Sequence, residues 1–305
     1  MSDVRRSVDD ASTWESDAAS AYALAKHGPD GAKFLDPDLY RLMSEIRLSG
    51  TRFLDIAAGA GPWTIHALQK GVTSATALDL SSAMLERARK CLSDMEALWG
   101  NVTLIEGSVD NLPFDDDVFD RLASINVGCN LPDGTFQAHF KEALRVAQKG
   151  ARFLVTAPDS LLVPFTRDVD VVDIQAEIDR RWMLGERAVK GLIHSFASVL
   201  RATFVLDGDG KPVLVTEENK CLVRPGTPII RRIPGLAVDN NFHTAAGYIE
   251  AAERAGWTVV EANRNSFRAE SERATYNTGV AENMKLGPEY VANPSFLIMD
   301  LEKTK

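Results

Sequence analysis

The sequence predicts an α/β protein, a doubly wound parallel sheet that carries an inserted cap. Two observations predict the sheet. Short apolar runs alternate with helical patterns from Arg52 to Thr156, and a glycine turn joins the first run to the first helix. A third observation predicts the cap: the alternation stops over 160–242 and then resumes.

Residues 1–15 are polar. Residues 16–26 have helical spacing around Tyr22, and His27-Gly28-Pro29-Asp30-Gly31 ends that pattern. Asp36 reads as an N-cap with Pro37 in the first helical position. Leu39, Leu42, Met43 and Ile46 follow at helical spacing up to Gly50. The strand runs are Arg52–Ile56, Ala75–Leu80, Val102–Glu106, Arg121–Asn126 and Arg152–Thr156. Helical patterns lie near 62–70, 81–97 and 134–148, the last with Phe136, Phe140, Ala143, Leu144 and Ala147 on one face. Strands that alternate with helices imply right-handed crossovers, and such sheets bind ligands at the carboxyl ends of their strands.

In the insertion, Val171, Ile174, Ile178 and Trp182 line an amphipathic helix, and a second helix is expected around 186–200. Ala202–Leu206, the turn Asp207-Gly208-Asp209-Gly210 and Val213–Thr216 read as a hairpin. A helix over Thr244–Ala255 closed by Gly256, then runs at Thr258–Ala262 and Phe296–Leu301, return the chain to the sheet. The expected organisation is therefore N-terminal helices over 1–50, a core from 51–159 and 243–305, and a cap over 160–242.

Composition narrows the function. A chain of 305 residues buries about three-quarters of its surface, enough for a core without a metal or disulfide staple. The net charge of −9 disfavours nucleic acid and anionic membrane surfaces as partners. Cys91, Cys129 and Cys221 form no CxxC pair, so no metal site is expected. The first residues lack the apolar core of a signal peptide, and no apolar run is long enough to span a bilayer, so the expected location is the cytoplasm.

The chemistry lies in Phe53-Leu54-Asp55-Ile56-Ala57-Ala58-Gly59-Ala60-Gly61-Pro62-Trp63-Thr64, a strand running through glycines into a helix. Gly59 and Gly61 have no Cβ, so backbone there can approach a ligand closely. Asp79 ends the next strand, 18 residues after Gly61, where an acid can accept both hydroxyls of a ribose. A dinucleotide fingerprint would place glycine where Thr64 stands, and Pro62 removes an amide that a pyrophosphate would use. A nucleoside ligand without phosphates fits better. Asp55 either orders the glycine loop or reaches the ligand's amine.

Read together, these segments resemble the class I S-adenosylmethionine-dependent methyltransferases, especially the ubiquinone- and menaquinone-biosynthesis branch and natural-product enzymes. The segment Leu54–Gly61 is similar to the family's glycine loop, with Ala57 in place of the usual first glycine. Ala77–Leu85 resembles the second strand and its ribose acid. Gly107–Phe114 resembles the adenine-side loop, with Ser108 where Asp is common. Phe119-Asp120 opens a similar fourth strand, and Ala143-Leu144-Arg145-Val146 before Lys149-Gly150 resembles the turn into the fifth.

The resemblance implies a Rossmann-like sheet of seven strands, six parallel and Phe296–Leu301 antiparallel, with S-adenosyl-L-methionine as cofactor. It implies that Ala57, Gly59 and Gly61 line the methionine end, that Asp79 holds the ribose, and that Leu80 and Met84 flank the adenine. Ser108 and Val109 would meet the adenine edge, Asn126 and Val127 the sulfonium, and Tyr22 would close a lid over the cofactor. The expected reaction is methyl transfer to an O or N atom of a small-molecule acceptor in specialised metabolism. Carbon methylation and a non-catalytic cofactor-binding protein are the alternatives, and a homodimer is compatible with either. His243 and His194, in or beside the cap, are the candidate bases, with Tyr248 as their rival.

Overall fold

The computed structural model describes residues 43, 46–93, 100–158, 171–183, 193, 203–224, 226–233, 236–264 and 296–305. Tyr22, His194, the helix expected over 16–26 and, apart from Ile193, the one expected over 186–200 lie outside these residues.

β1 (Arg52–Ile56), α1 (Pro62–Gln69), β2 (Ser74–Asp79), α2 (Ser82–Ser93), β3 (Val102–Glu106) and β4 (Phe119–Ile125) open the core. α3 (Asp133–Val146) and β5 (Ala147–Pro158) follow, then α4 (Val171–Trp182). Four short strands come next: β6 (Phe204–Leu206), β7 (Pro212–Leu214), β8 (Pro228–Ile233) and β9 (Leu236–Asn241). α5 (Ala245–Ala255), β10 (Thr258–Arg264) and β11 (Phe296–Glu302) complete the chain.

The seven-stranded sheet has the order β10-β11-β5-β4-β1-β2-β3. Its pairs β1–β2, β1–β4, β2–β3 and β4–β5 are parallel, and β11 runs antiparallel to β10 and β5. The strand order reverses between β1 and β4, so the crevice of such a sheet opens beyond Ile56 and Ile125. Side chains alternate through the sheet. Leu54, Ile56, Phe153 and Val155 face a core shared with Phe136, Phe140 and Trp257. Phe53 and Leu154 face the opposite core with Trp63, Ile65 and Leu92. Burial on both faces is what makes these strands read as near-continuous apolar runs.

Two boundaries differ from expectation. α3 ends at Val146 because Ala147 turns extended (φ −77°, ψ 141°) and pairs with Phe119, which starts β5 early and lengthens β4. At its other end β4 stops at Ile125, because Asn126 takes a left-handed φ of 60°. The cap of α5 follows expectation: Thr244 Oγ1 accepts from Gly247 N at 3.0 Å, and Gly256 (φ 112°) closes the helix.

The small sheet has the order β7-β6-β8-β9 and is antiparallel throughout. The β6–β7 hairpin matches expectation; the β8–β9 pair is additional. Ile229 of β8 packs on Cys129, in the Gly128–Asn130 turn just beyond β4. A Cβ on Gly226 would come within 2.6 Å of the Asp133 carboxylate at the start of α3. This sheet therefore sits against the carboxyl end of β4. No helix among the described residues is long and apolar enough to cross a membrane.

Candidate functional site

Four segments meet beyond the carboxyl ends of β1, β2, β3 and β4. The first is Ala57–Gly61. Ala57 (φ 55°), Gly59 (φ 57°) and Gly61 (φ 76°) are all left-handed, and Ala57 adopts this conformation against the steric cost of its Cβ. Ala58 N donates to Leu78 O at 2.9 Å and Gly59 N to Asp79 Oδ2 at 2.7 Å, which ties the loop to the end of β2. The two glycines serve different ends. Nothing lies within 4 Å of a Cβ placed on Gly59, so its backbone faces open space. A Cβ on Gly61 would lie 3.2 Å from Ala88 Cβ, so this glycine lets α2 pack closely. The Cβ direction is thus taken up by α2 at Gly61 and open at Gly59.

Asp79 is half-buried, and its Oδ1 accepts from Ser81 N at 2.9 Å. Ser81 Oγ in turn accepts from Met84 N at 3.1 Å, so the serine caps α2. Leu80 is half-buried beside Asp79, whereas Met84 is 3% exposed.

Asp55 is buried and points back under the loop. Its Oδ2 accepts from Thr64 Oγ1 at 2.7 Å, linking the strand to the first turn of α1 across the glycines. Burial pushes its pKa up to about 7, with the Asp79 charge adding and the Thr64 hydrogen bonds opposing. Of the two roles expected for Asp55, this geometry favours ordering the loop.

Ser108 and Val109 lie on the connection after β3. Ser108 Oγ donates to Asp110 Oδ1 at 2.5 Å, and Val109 is buried. At the end of β4, Asn126 is held by Thr156 of the neighbouring strand. Its N donates to Thr156 Oγ1 at 3.0 Å, and that hydroxyl donates to Asn126 Oδ1 at 3.1 Å. Val127 is buried, and Cys129 Sγ donates to Asn126 O at 3.4 Å.

His243, one of the two candidate bases, is held by its neighbours. Its Nε2 donates to Leu131 O at 2.9 Å, and its ring stacks on Phe136 at 3.9 Å between centroids. Nδ1 lies 3.8 Å from Asp133 Oδ1, and the side chain is 2% exposed. Burial holds the imidazole below its ordinary pKa, against the Leu131 bond and the Asp133 charge. Tyr248 packs edge-on against Phe136, and its buried hydroxyl has no hydrogen-bond partner. Burial raises the phenol well above its ordinary value, so it stays neutral near pH 7.

A Cβ on Gly128 would come within 2.6 Å of the Tyr248 hydroxyl and ring. Gly128→Ala is therefore expected to destabilise the protein by about 1–3 kcal/mol, read as a lower urea midpoint. An unchanged midpoint would show that the turn yields at little cost.

Sequence reasoning gave no role to Thr64, Thr156, Asp110, Glu142 or Arg145.

Comparison with known proteins gives this site its class. Residues 53–150 match the family described as a methyltransferase domain. Over 115 residues the chain is 37% identical to a demethylmenaquinone methyltransferase of Staphylococcus aureus, covering 36% of this chain and 44% of that one. The chain thus spans under half the length of the curated relatives it matches. Among solved structures, an S-adenosylmethionine-dependent methyltransferase from Mesorhizobium loti superposes with a TM-score of 0.53 at 18% identity. That match covers 87% of this chain and 96% of the other. The [4+2]-cyclase SpnF superposes with a TM-score of 0.51 at 15% identity, covering 87% and 80%. At such identities the likeness shows the fold, and one fold hosts more than one chemistry.

Residues 53–150 thus match a methyltransferase domain, and the seven-stranded sheet around them has the fold of an S-adenosylmethionine-dependent methyltransferase. The cofactor implied is S-adenosyl-L-methionine. The residues present fit it: the backbone at Gly59 is open, no P-loop lysine follows the glycines, and the half-buried Asp79 carboxylate suits ribose hydroxyls better than a phosphate.

Proposed function

We propose that this protein transfers the methyl group of S-adenosylmethionine to an O or N atom of a small-molecule acceptor in specialised metabolism, without nucleic acid or membrane as partner. The observation that carries this reading is the open, left-handed backbone at Gly59 joined to the Asp79 carboxylate. In it, Asp79 accepts the ribose hydroxyls, and Ala57 with Gly59 lines the amino-acid end. Leu80 and Met84 border the adenine, Ser108 and Val109 meet its edge, and Asn126 with Val127 borders the sulfonium. Residues 160–242 cap the acceptor. The small sheet against the Gly128–Asn130 turn supports this, since it stands at the end of the crevice where the methyl group would be delivered.

The cofactor supplies the leaving group. The chain's own work is alignment and exclusion of water. A hydroxyl acceptor needs a base unless it is already ionised. Among the described groups, His243 is bonded to Leu131 and Tyr248 is neutral, so an amine or a pre-ionised hydroxyl suits the site better. A second reading, transfer to carbon, draws support from the relatives named demethylmenaquinone methyltransferase.

Calorimetry with S-adenosylhomocysteine and NAD in parallel tests the class. Binding of the first alone is expected, and binding of NAD alone would overturn the reading. Labelled S-adenosylmethionine and analysis of the product then separate O, N and C transfer.

His243 is expected to hold the structure around α3. His243→Ala should cost about 2–4 kcal/mol of stability, through the lost Leu131 bond and the lost stacking. The pH profile of kcat should keep its shape. Loss of one limb of that profile, with a fall of about 10²–10⁴ in kcat, would instead make His243 the base.

A further inference from the structure

We propose that one side of α3, centred on Arg145 and Glu142, positions the loop that meets the adenine of the cofactor. This inference rests on the S-adenosylmethionine reading. The connection from Gly107 to Val118 lies between β3 and β4 and belongs to neither strand. It is held from α3 instead. Arg145 Nη2 donates to Leu112 O at 2.8 Å and Nη1 to Phe114 O at 2.7 Å. Nη1 also donates to Asp116 Oδ1 at 2.9 Å. Nε and Nη2 donate to the two Glu142 carboxylate oxygens at 2.9 and 2.8 Å. Glu142 Oε2 accepts from Leu112 N at 2.9 Å. The guanidinium has five N–H donors, and five acceptors surround it.

About two turns before Glu142 on the same helix, Thr135 Oγ1 donates to Asp110 Oδ2 at 3.4 Å, and Asp110 Oδ1 holds the Ser108 hydroxyl. Thr135, Glu142 and Arg145 are seven and three residues apart, which sets them along one side of the helix. The rail therefore runs to Ser108 and Val109 through Asp110 at one end, and through Leu112 and Phe114 at the other. An exposed ion pair alone would do little here. Arg145 differs because its planar fork grips backbone carbonyls two residues apart, a geometry that the single ammonium of lysine cannot reproduce.

Arg145 touches no ligand in this account; it is a positioning residue. Its effect should fall on recognition of the base. The probes are S-adenosylhomocysteine and S-inosylhomocysteine, which differ in the adenine amino group. Wild type is expected to prefer the first. Arg145→Lys and the milder Glu142→Gln are expected to lower that preference by about tenfold and a few-fold respectively, mainly through weaker S-adenosylhomocysteine binding. The melting temperature is measured alongside, and Glu142→Gln serves if Arg145→Lys does not fold. An unchanged preference, with or without a lower melting temperature, would show that the rail supports the fold alone. Wild type that binds neither probe would overturn the cofactor reading, and this inference with it.

Discussion

Asp79→Ala is expected to weaken S-adenosylhomocysteine binding about a hundredfold while the protein stays folded. Two losses add. The first is direct: a carboxylate oxygen can accept two hydrogen bonds, so Asp79 can receive both ribose hydroxyls while retaining the bonds it already makes. Charge-assisted bonds of this kind contribute about 1.5–3 kcal/mol each before the competing hydration is counted. The second is indirect. Gly59 N loses its 2.7 Å partner and Ser81 N its 2.9 Å partner, so the open backbone at Gly59 is no longer held against β2. A net loss of about 2.7 kcal/mol corresponds to the hundredfold weakening. Asp79→Asn should fall between wild type and alanine, since its amide oxygen still accepts. Calorimetry at matched pH reads the affinity, and a thermal melt confirms the fold. Wild-type affinity in a folded Asp79→Ala variant would remove Asp79 from the cofactor site.

The sheet could be read from the chain because burial on both faces writes each strand as an uninterrupted apolar run. Leu54 and Phe53 are consecutive, yet each enters a different core. The hairpin at Asp207–Gly210 was readable for a different reason, since turn chemistry there is local: Asp207 N donates to Lys211 O at 2.9 Å. The β8–β9 pair was missed, although Pro234-Gly235 stands between its two runs, because arginines at 231 and 232 interrupt the first. Within the candidate site, residues placed by their own backbone or at a strand end could be singled out from spacing, as with Gly59 and Asp79, which the fold joins by a 2.7 Å hydrogen bond. Residues whose partners are distant in sequence were not. Asn126 and Thr156 are 30 residues apart, Arg145 and Leu112 are 33 apart, and His243 lies 112 from Leu131. Nothing local marks such a partner. For that reason His243 reads as a candidate base in the chain and as a bonded, stacked ring in the fold.

Asp55→Asn is expected to make the protein more stable at pH 8 and to leave it unchanged near pH 4. The carboxyl is 1% exposed, and burial raises its pKa from 3.8 to about 7 despite the hydrogen bonds from Thr64. Between those two values the folded state keeps a proton that the unfolded chain has released. The stabilisation is therefore complete below about pH 3.8, declines as pH rises, and is gone above about pH 7. Three units correspond to about 4 kcal/mol, an upper figure because the interior relaxes around a new charge. Asparagine is never ionised, so it carries no such slope, and its amide oxygen can still accept the Thr64 hydroxyl proton. The latch from β1 to α1 beneath the glycine loop should then survive. Urea unfolding of both proteins at pH 5, 6.5 and 8 reads the difference. The variant should gain about 2–4 kcal/mol over wild type between pH 5 and pH 8, with most of the change complete by pH 7. Other titrating groups contribute equally to both proteins and cancel in the comparison. A variant less stable than wild type at every pH would mean that the fold stabilises Asp55 as a carboxylate. The acid would then belong to an anionic wall facing the cofactor's amine, and ordering the glycine loop would fall to Thr64 alone.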